Sequence, residues 1–146
     1  TDTDTDTDTD TDTDTDTDAD CTVKDLQFRI GTRDASGRCT TCDAASLEFV
    51  AALTNVCEND ISFETSTTCI VRGWTVTPES GGADHKGGPS CGEAITTHTV
   101  IASERLMESH APDKELKDGK YRLEIGLDTT PVVTRTSVFE VVTTSK

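Results

Sequence analysis

The sequence predicts an all-β protein, an antiparallel sandwich of about seven short strands that follows an extended, low-complexity N-terminal arm. Three observations lead to this prediction. Apolar and polar residues alternate with period two in several short runs, which is the pattern of half-buried strands. Clusters of Gly, Asp, Asn, Ser and Pro separate these runs, as turns do. Residues 1–18 are nine Thr-Asp pairs without a large apolar side chain, so they cannot contribute to a core.

Seven runs are expected to form strands, and the clearest alternation lies at 121–127. Pro78 is expected to stop the fourth run. In chain order, the positions that define the runs are Leu26, Phe28 and Ile30; Leu47, Phe49, Ala51 and Leu53; Ile61 and Phe63; Ile70, Trp74 and Val76; Ile95, Thr97, Thr99 and Ile101; Tyr121, Leu123, Ile125 and Leu127; and Ser137, Phe139 and Val141. Only residues 103–110 are predicted to form a helical turn or two. Short strands at this spacing indicate a sandwich.

Residues 116–121 read Leu-Lys-Asp-Gly-Lys-Tyr, which resembles the L-x-D-G-x-Y corner of immunoglobulin-like and fibronectin-III-like domains. In such domains the tyrosine hydroxyl bonds back to nearby backbone. Trp74 is similar to their buried tryptophan. The resemblance implies an immunoglobulin-like sandwich over roughly 22–144. Leu123 stands where antibody-type domains carry their second core cysteine, so the disulfides of this chain must pair differently.

The chain contains six cysteines in irregular spacing: Cys21, Cys39, Cys42, Cys57, Cys69 and Cys91. An even number in a Thr-rich, aromatic-poor chain predicts a disulfide framework formed in an oxidising compartment. We expect Cys57 to pair with Cys69 across a hairpin, and Cys39 or Cys42 to pair with Cys21 or Cys91. The sequence begins inside a repeat and shows no signal peptide, lipobox or long apolar span, so we expect a mature or truncated product of a secreted precursor. The predicted location is extracellular, at or near the cell surface.

The net charge of -15 is concentrated in the arm, because ten of the 28 acids lie within the first twenty residues. The remainder, 21–146, has 18 acids and all 13 bases. We expect this part to form one disulfide-stabilised domain behind an arm of residues 1–20. No basic cluster is visible along the sequence, which argues against nucleic-acid binding and against docking on anionic membranes.

Catalytic patterns are weak, and we expect no enzyme. The Cys39–Cys42 pair has C-x-x-C spacing, which can form a redox dithiol or half a zinc site, but a structural disulfide is favoured. His85, His98 and His110 lack a metal-binding spacing and are interpreted as surface histidines. No serine lies in a G-x-S-x-G elbow. The Gly-rich segment 80–92 is interpreted as a mobile surface loop.

The Thr-Asp tract has four plausible uses. An extended backbone places all nine threonines on one side and all nine aspartates on the other, over a length of about 60 Å. The tract can act as a solvated stalk, or bind calcium weakly through acids such as Asp2, Asp4, Asp6 and Asp8. It can be O-glycosylated, at Thr1, Thr3, Thr5, Thr7, Thr9, Thr11, Thr13, Thr15 and Thr17. Donation of a core strand is disfavoured because alternating apolar side chains are missing.

These observations favour a non-enzymatic, secreted structural protein, a subunit of an extracellular fibre with an O-glycosylated Thr-Asp arm. The composition resembles that of bacterial surface lipoproteins and fibre-forming glycoproteins. The alternative is a ligand-binding or adhesion module, calcium-dependent or not, with the repeat as a spacer. Expected partners are further copies of the chain or other surface proteins and glycans, without nucleic acid or membrane insertion. No cofactor is expected beyond glycans on the threonines and calcium.

Overall fold

A computed structural model of the protein describes residues 20–145, and within that range the chain is built from strands. Two single 3-10 turns, Val23–Asp25 and Ala44–Ser46, accompany them. The strands are β1 Gln27–Asp34, β2 Gly37–Cys39, β3 Thr41–Asp43, β4 Glu48–Thr54, β5 Ile61–Thr65, β6 Val71–Pro78, β7 His85–Gly87, β8 Thr96–Val100, β9 Arg105–His110, β10 Gly119–Leu127 and β11 Thr134–Val142. The all-β prediction is confirmed, with the additional strand β9 and three further strands of three residues each, β2, β3 and β7.

The strands form two large sheets and one separate pair. The four-stranded sheet has the order β2-β1-β4-β9, and the five-stranded sheet has the order β3-β11-β10-β6-β7. Strands β5 and β8 pair with each other. Every pairing is antiparallel except that of β3 with β11. The chain crosses from one large sheet to the other between β2 and β3.

Aromatic contacts show that the two large sheets pack face to face. The ring of Phe49 on β4 lies edge-on to Trp74 on β6, with 5.5 Å between centroids, and to Phe139 on β11, at 6.0 Å. Leu123 and Ile125 on β10 are completely buried behind these rings. The core therefore lies between the sheets, as in a sandwich.

The turn before β10 has the geometry that its sequence motif predicts. The Tyr121 hydroxyl donates a hydrogen bond to the Lys117 carbonyl oxygen at 2.7 Å, and the ring stacks on Phe139. Gly119 has a φ of +150°, a conformation that favours glycine. The tyrosine thus fixes the entry into the central strand of the five-stranded sheet.

All six cysteines are disulfide-bonded, as predicted, but the predicted pairings were wrong. The bonds are Cys21–Cys57, Cys39–Cys42 and Cys69–Cys91. The expected Cys57–Cys69 hairpin does not form because the intervening strand, β5, pairs with β8 rather than with β6. Three disulfides in a small domain indicate an oxidising environment. Across residues 20–145, no helix has the length and apolar character needed to cross a bilayer.

The helical prediction for 103–110 was wrong, since this segment forms the edge strand β9. A turn at Ser103, with a φ of +62°, leads into it. The segment is rich in good helix formers, but Leu106 lies opposite Leu53 of β4 and packs against the core. Pairing and burial therefore override intrinsic propensity here.

The expected inward face of the fifth run was also wrong. Ile95 and Ile101 flank β8 and are 77% and 50% exposed, whereas Val100 is buried. Val100 and His98 share a face of the strand, so they, rather than Thr97 and Thr99, point inward. The Gly-rich segment 80–92 contains β7 and is tied to the rest of the domain by Cys69–Cys91.

Candidate functional site

The residues that the sequence singled out are scattered rather than gathered into one site. The glycosylation and calcium candidates in the Thr-Asp tract lie outside the described residues. Of the three histidines, only His85 is exposed as expected. His98 is half-buried, stacks on Phe63 and shares a 2.8 Å hydrogen bond with the Thr65 hydroxyl. His110 is also half-buried and stacks on Trp74. These two rings are part of the packing.

Glu108 on β9 ties the edge of the four-stranded sheet to the start of β6 in the five-stranded sheet. Its carboxylate accepts hydrogen bonds from the backbone N–H groups of Ile70, at 2.9 Å, and Val71, at 3.2 Å. It also lies 2.6 Å from Nε2 of His110. Cys69 is near these two side chains, but its sulfur is committed to a disulfide and offers no thiolate to a metal. The cluster is therefore a structural bridge.

A second cluster joins Asp34 to the Cys39–Cys42 pair, and it fixes the turn between β1 and β2. The Asp34 carboxylate accepts hydrogen bonds from the Ser36 hydroxyl at 2.6 Å and from the backbone N–H of Asp43 at 2.9 Å. The bond from Ser36 is the main reason that the pKa of Asp34 is lowered. The turn holds Arg33 directly opposite Arg38 across the two strands.

The outer surface of the four-stranded sheet carries a depression lined by arginines, which we call the arginine groove. It is a shallow depression of about 280 Å³. Four of the seven arginines of the chain line it, namely Arg29, Arg33, Arg38 and Arg105. They come from three strands, β1, β2 and β9, and all occupy outward-facing positions of the sheet. The fold thus brings together a basic surface from arginines that are not clustered in the sequence.

Small and apolar side chains form the floor of the arginine groove. Val50 and Ala52 of β4 lie between Gly31 of β1 and Met107 of β9. Met107 is 45% exposed. The guanidinium of Arg38 reaches across Gly31, since a Cβ at that glycine would lie 4.0 Å from its Nη2. The arginine side chains therefore lie above a floor of smaller residues.

One of the four arginines is held in place by other side chains. The Nε of Arg33 donates to the Glu48 carboxylate at 2.5 Å, and its Nη2 donates to the Ser109 hydroxyl at 2.8 Å. These bonds link β1, β4 and β9. Glu48 is the only acidic side chain at the outward-facing positions of these strands and β2. Arg33 is therefore largely neutralised and has a structural role.

The other three arginines keep their charge available. Arg29, Arg38 and Arg105 are exposed, and within residues 20–145 none of them lies within salt-bridge distance of a carboxylate. Guanidinium groups bind carboxylates and other anions with bidentate geometry. The groove thus offers three exposed donors to an anionic partner.

Sequence reasoning missed this surface, although part of the signal was present. Arg29 lies in the run predicted at 26–30, and Arg33 stands four residues further on, so continuing the strand by three residues would place both on its polar face. The contribution of Arg105 was hidden by the helical prediction for its segment. That of Arg38 depends on the tight β1–β2 turn, whose strand pairing the sequence did not reveal.

The chain matches no known protein-family model, and no curated protein aligns with it significantly. Function must therefore be inferred from the fold and its surface.

Proposed function

We propose that this chain is a secreted, non-enzymatic structural protein, a subunit of an extracellular fibre whose Thr-Asp arm is O-glycosylated. The observation that carries the proposal is the junction of two unlike parts: nine regular Thr-Asp pairs precede a sandwich held by three disulfides. The disulfides support an extracellular location. The repeat supplies a hydroxyl at every second residue, and sugars there would stiffen the arm and protect it from proteases.

We further propose that the domain belongs to the immunoglobulin-like class of sandwiches. Two contacts support this assignment. The Tyr121 hydroxyl closes onto Lys117 as in a tyrosine corner. Trp74 is buried against Phe49 in the space between the sheets.

Intact mass spectrometry of the native material tests the glycosylated arm. The unmodified chain has a mass of 15.6 kDa, and each hexose would add about 0.16 kDa. We expect a ladder of heavier species, with fragmentation placing the added mass on odd-numbered threonines within 1–17. The same chain expressed without a glycosylation system is the control and has the bare mass. Native material at the bare mass would refute glycosylation, and electron micrographs showing single particles rather than filaments would refute the fibre.

The alternative function, a ligand-binding module with the repeat as a spacer, is supported by a different surface. An apolar groove of about 280 Å³ lies at one end of the sandwich, between Leu26, Phe28 and Pro131. The guanidinium of Arg135 lies 5.6 Å from the centre of the Phe28 ring at its rim. Deletion of residues 1–18 separates the two functions, because ligand binding survives under the spacer hypothesis and assembly fails under the fibre hypothesis.

A further inference from the structure

We infer that the arginine groove is the docking site for the Thr-Asp arm of a second copy of this chain. The inference rests on the proposed fibre, since it names the contact through which one subunit would hold the next. The domain part of the chain carries 18 acids and 13 bases, yet the groove presents four arginines against one acid, Glu48. A surface of this sign in an acidic protein selects an anionic partner.

The strongest anionic segment of the chain is its own arm. Nine aspartates stand in residues 1–18 without a single base. The three exposed arginines of the groove, Arg29, Arg38 and Arg105, complement such a segment. Since each chain carries one arm and one groove, the two binding surfaces are present in equal numbers, as a repeating assembly of identical subunits requires.

The spacing of the charges favours an extended arm that runs along β1. In an extended chain, aspartates two residues apart are separated by about 6.6 Å. Arg29 and Arg33 are four residues apart on the same face of β1, a separation of about 13 Å, which equals two aspartate steps. The Arg38 guanidinium lies over Gly31, two residues from each of these positions, which is one aspartate step.

The arginine side chains lie above the small floor of the groove and would meet that arm first. The Arg38 guanidinium covers Gly31, and Arg33 reaches across β4 to Ser109, so the aspartate side of the arm would face guanidinium groups. The threonines would then point to solvent, because successive side chains of an extended chain alternate between its two faces. Docking and O-glycosylation therefore use opposite sides of the same segment and do not compete.

The length of the arm permits docking on a second copy of the chain. An extended tract of 18 residues spans about 60 Å, whereas the eight residues of β1 span about 26 Å. The arm enters its own domain at Cys21, which is bonded to Cys57. It is long enough to leave that domain and cross the whole groove of a neighbour.

A peptide-binding experiment on the unmodified full-length chain tests this inference. A fluorescent peptide of nine Thr-Asp pairs is titrated with the protein at low salt, and its anisotropy is followed. We expect saturable binding that weakens as salt rises. The variant with Arg29→Gln and Arg105→Gln should bind about fivefold more weakly, since it removes two exposed ion pairs. Arg33 is left intact because of its bonds to Glu48 and Ser109.

Two controls make the result specific. The variant with Arg72→Gln and Arg122→Gln loses the same two positive charges, but from exposed positions on the five-stranded sheet. It should bind the peptide as tightly as the unaltered chain does. A peptide of nine Thr-Asn pairs should not bind. Thermal unfolding of both variants checks that the fold is retained.

Several outcomes would overturn the inference. These are an absence of binding, equal losses in both double variants, equal binding of the Thr-Asn peptide, or binding only of another polyanion such as heparin or DNA. Sedimentation of the full-length chain distinguishes docking on a second copy from docking on the arm's own domain. Self-association that disappears in the Arg29 and Arg105 variant supports docking on a second copy. A protein that stays monomeric at every concentration refutes it. If docking fails but the native material is filamentous and glycosylated, the proposed function stands and only this contact is wrong.

Discussion

Replacement of Asn55 by alanine should strongly destabilise the domain, because this one side chain joins three segments. It is 1% exposed. Its amide nitrogen donates to the carbonyl oxygens of Asn59, at 2.8 Å, and Val100, at 2.9 Å, while its oxygen accepts from the backbone N–H of Cys57 at 2.9 Å. The bonds connect the end of β4 to the loop before β5 and to the end of β8.

The magnitude follows from the number of bonds lost. A protein hydrogen bond contributes about 1 kcal/mol net, and a buried group left without a partner costs about 1–3 kcal/mol. Three lost bonds therefore predict a decrease of about 3 kcal/mol in the free energy of unfolding. That is a large share of the roughly 5–15 kcal/mol that holds a typical domain folded. The melting temperature should fall by about 10 °C.

Urea unfolding followed by tryptophan fluorescence measures this loss, since Trp74 is the only tryptophan and is buried. Asn59→Ala is the matched control: its bonds are longer, at 3.2–3.3 Å, and it lies in a half-buried loop that the Cys21–Cys57 bond already restrains. It should cost less than about 1 kcal/mol. Equal losses for the two variants, or a loss below 1 kcal/mol for Asn55→Ala, would refute this account of the junction.

Three further predictions concern other contacts. Gly87→Ala should destabilise the protein by about 1–3 kcal/mol, because a Cβ there would meet Trp74 Nε1 at 2.7 Å and a carboxylate oxygen even closer; chemical unfolding measures it. Glu108→Gln should cost about 1–3 kcal/mol, since an amide cannot accept at both of its terminal atoms, and the same assay applies. The pKa of Asp128 is lowered from 3.8, chiefly by a hydrogen bond from the Ser66 hydroxyl. The contribution of Asp128 to the free energy of unfolding is therefore complete above about pH 4, and it is lost as the pH falls through the lower pKa of the folded state. Asp128→Asn should flatten the acid side of the stability profile.

Each of these three predictions has a control within the chain. Gly88→Ala adds a methyl whose nearest neighbour is 3.4 Å away, so it should be nearly neutral. Glu124→Gln changes an exposed position of β10, and Asp84→Asn changes an exposed loop carboxylate. If a control variant loses as much stability as its partner, or if Asp84→Asn flattens the pH profile equally, the corresponding contact does not have the role assigned to it.

The sequence predicted most of the long strands because alternation is a local property. In β10 the inward positions are uninterrupted from Tyr121 to Leu127, so periodicity alone located the strand. It failed for β9, whose residues favour a helix until β4 is present to pair with them. It also failed at the ends of β8, where Ile95 and Ile101 lie just outside the alternating stretch.

Disulfide pairing and the arginine groove depend on which strands become neighbours, which a single sequence does not encode locally. Cys21 meets Cys57 only because β1 pairs with β4 and brings their flanking loops to one end of the sheet. Arg105 joins Arg29 only because β9 pairs with the other edge of β4. Side-chain chemistry was therefore visible in the sequence, while the placement of these groups beside one another required the fold.

The Cys21–Cys57 bond has a mechanical consequence for a subunit pulled by its N-terminal arm. Force applied through residue 20 reaches Cys21, which is bonded to Cys57, before it reaches β1. Part of the load passes directly into the loop behind β4, so the two neighbouring strands are strained together instead of β1 being peeled away first. The arm is thus attached to the domain at two points, and reduction of the Cys21–Cys57 bond would change the force at which the domain unfolds.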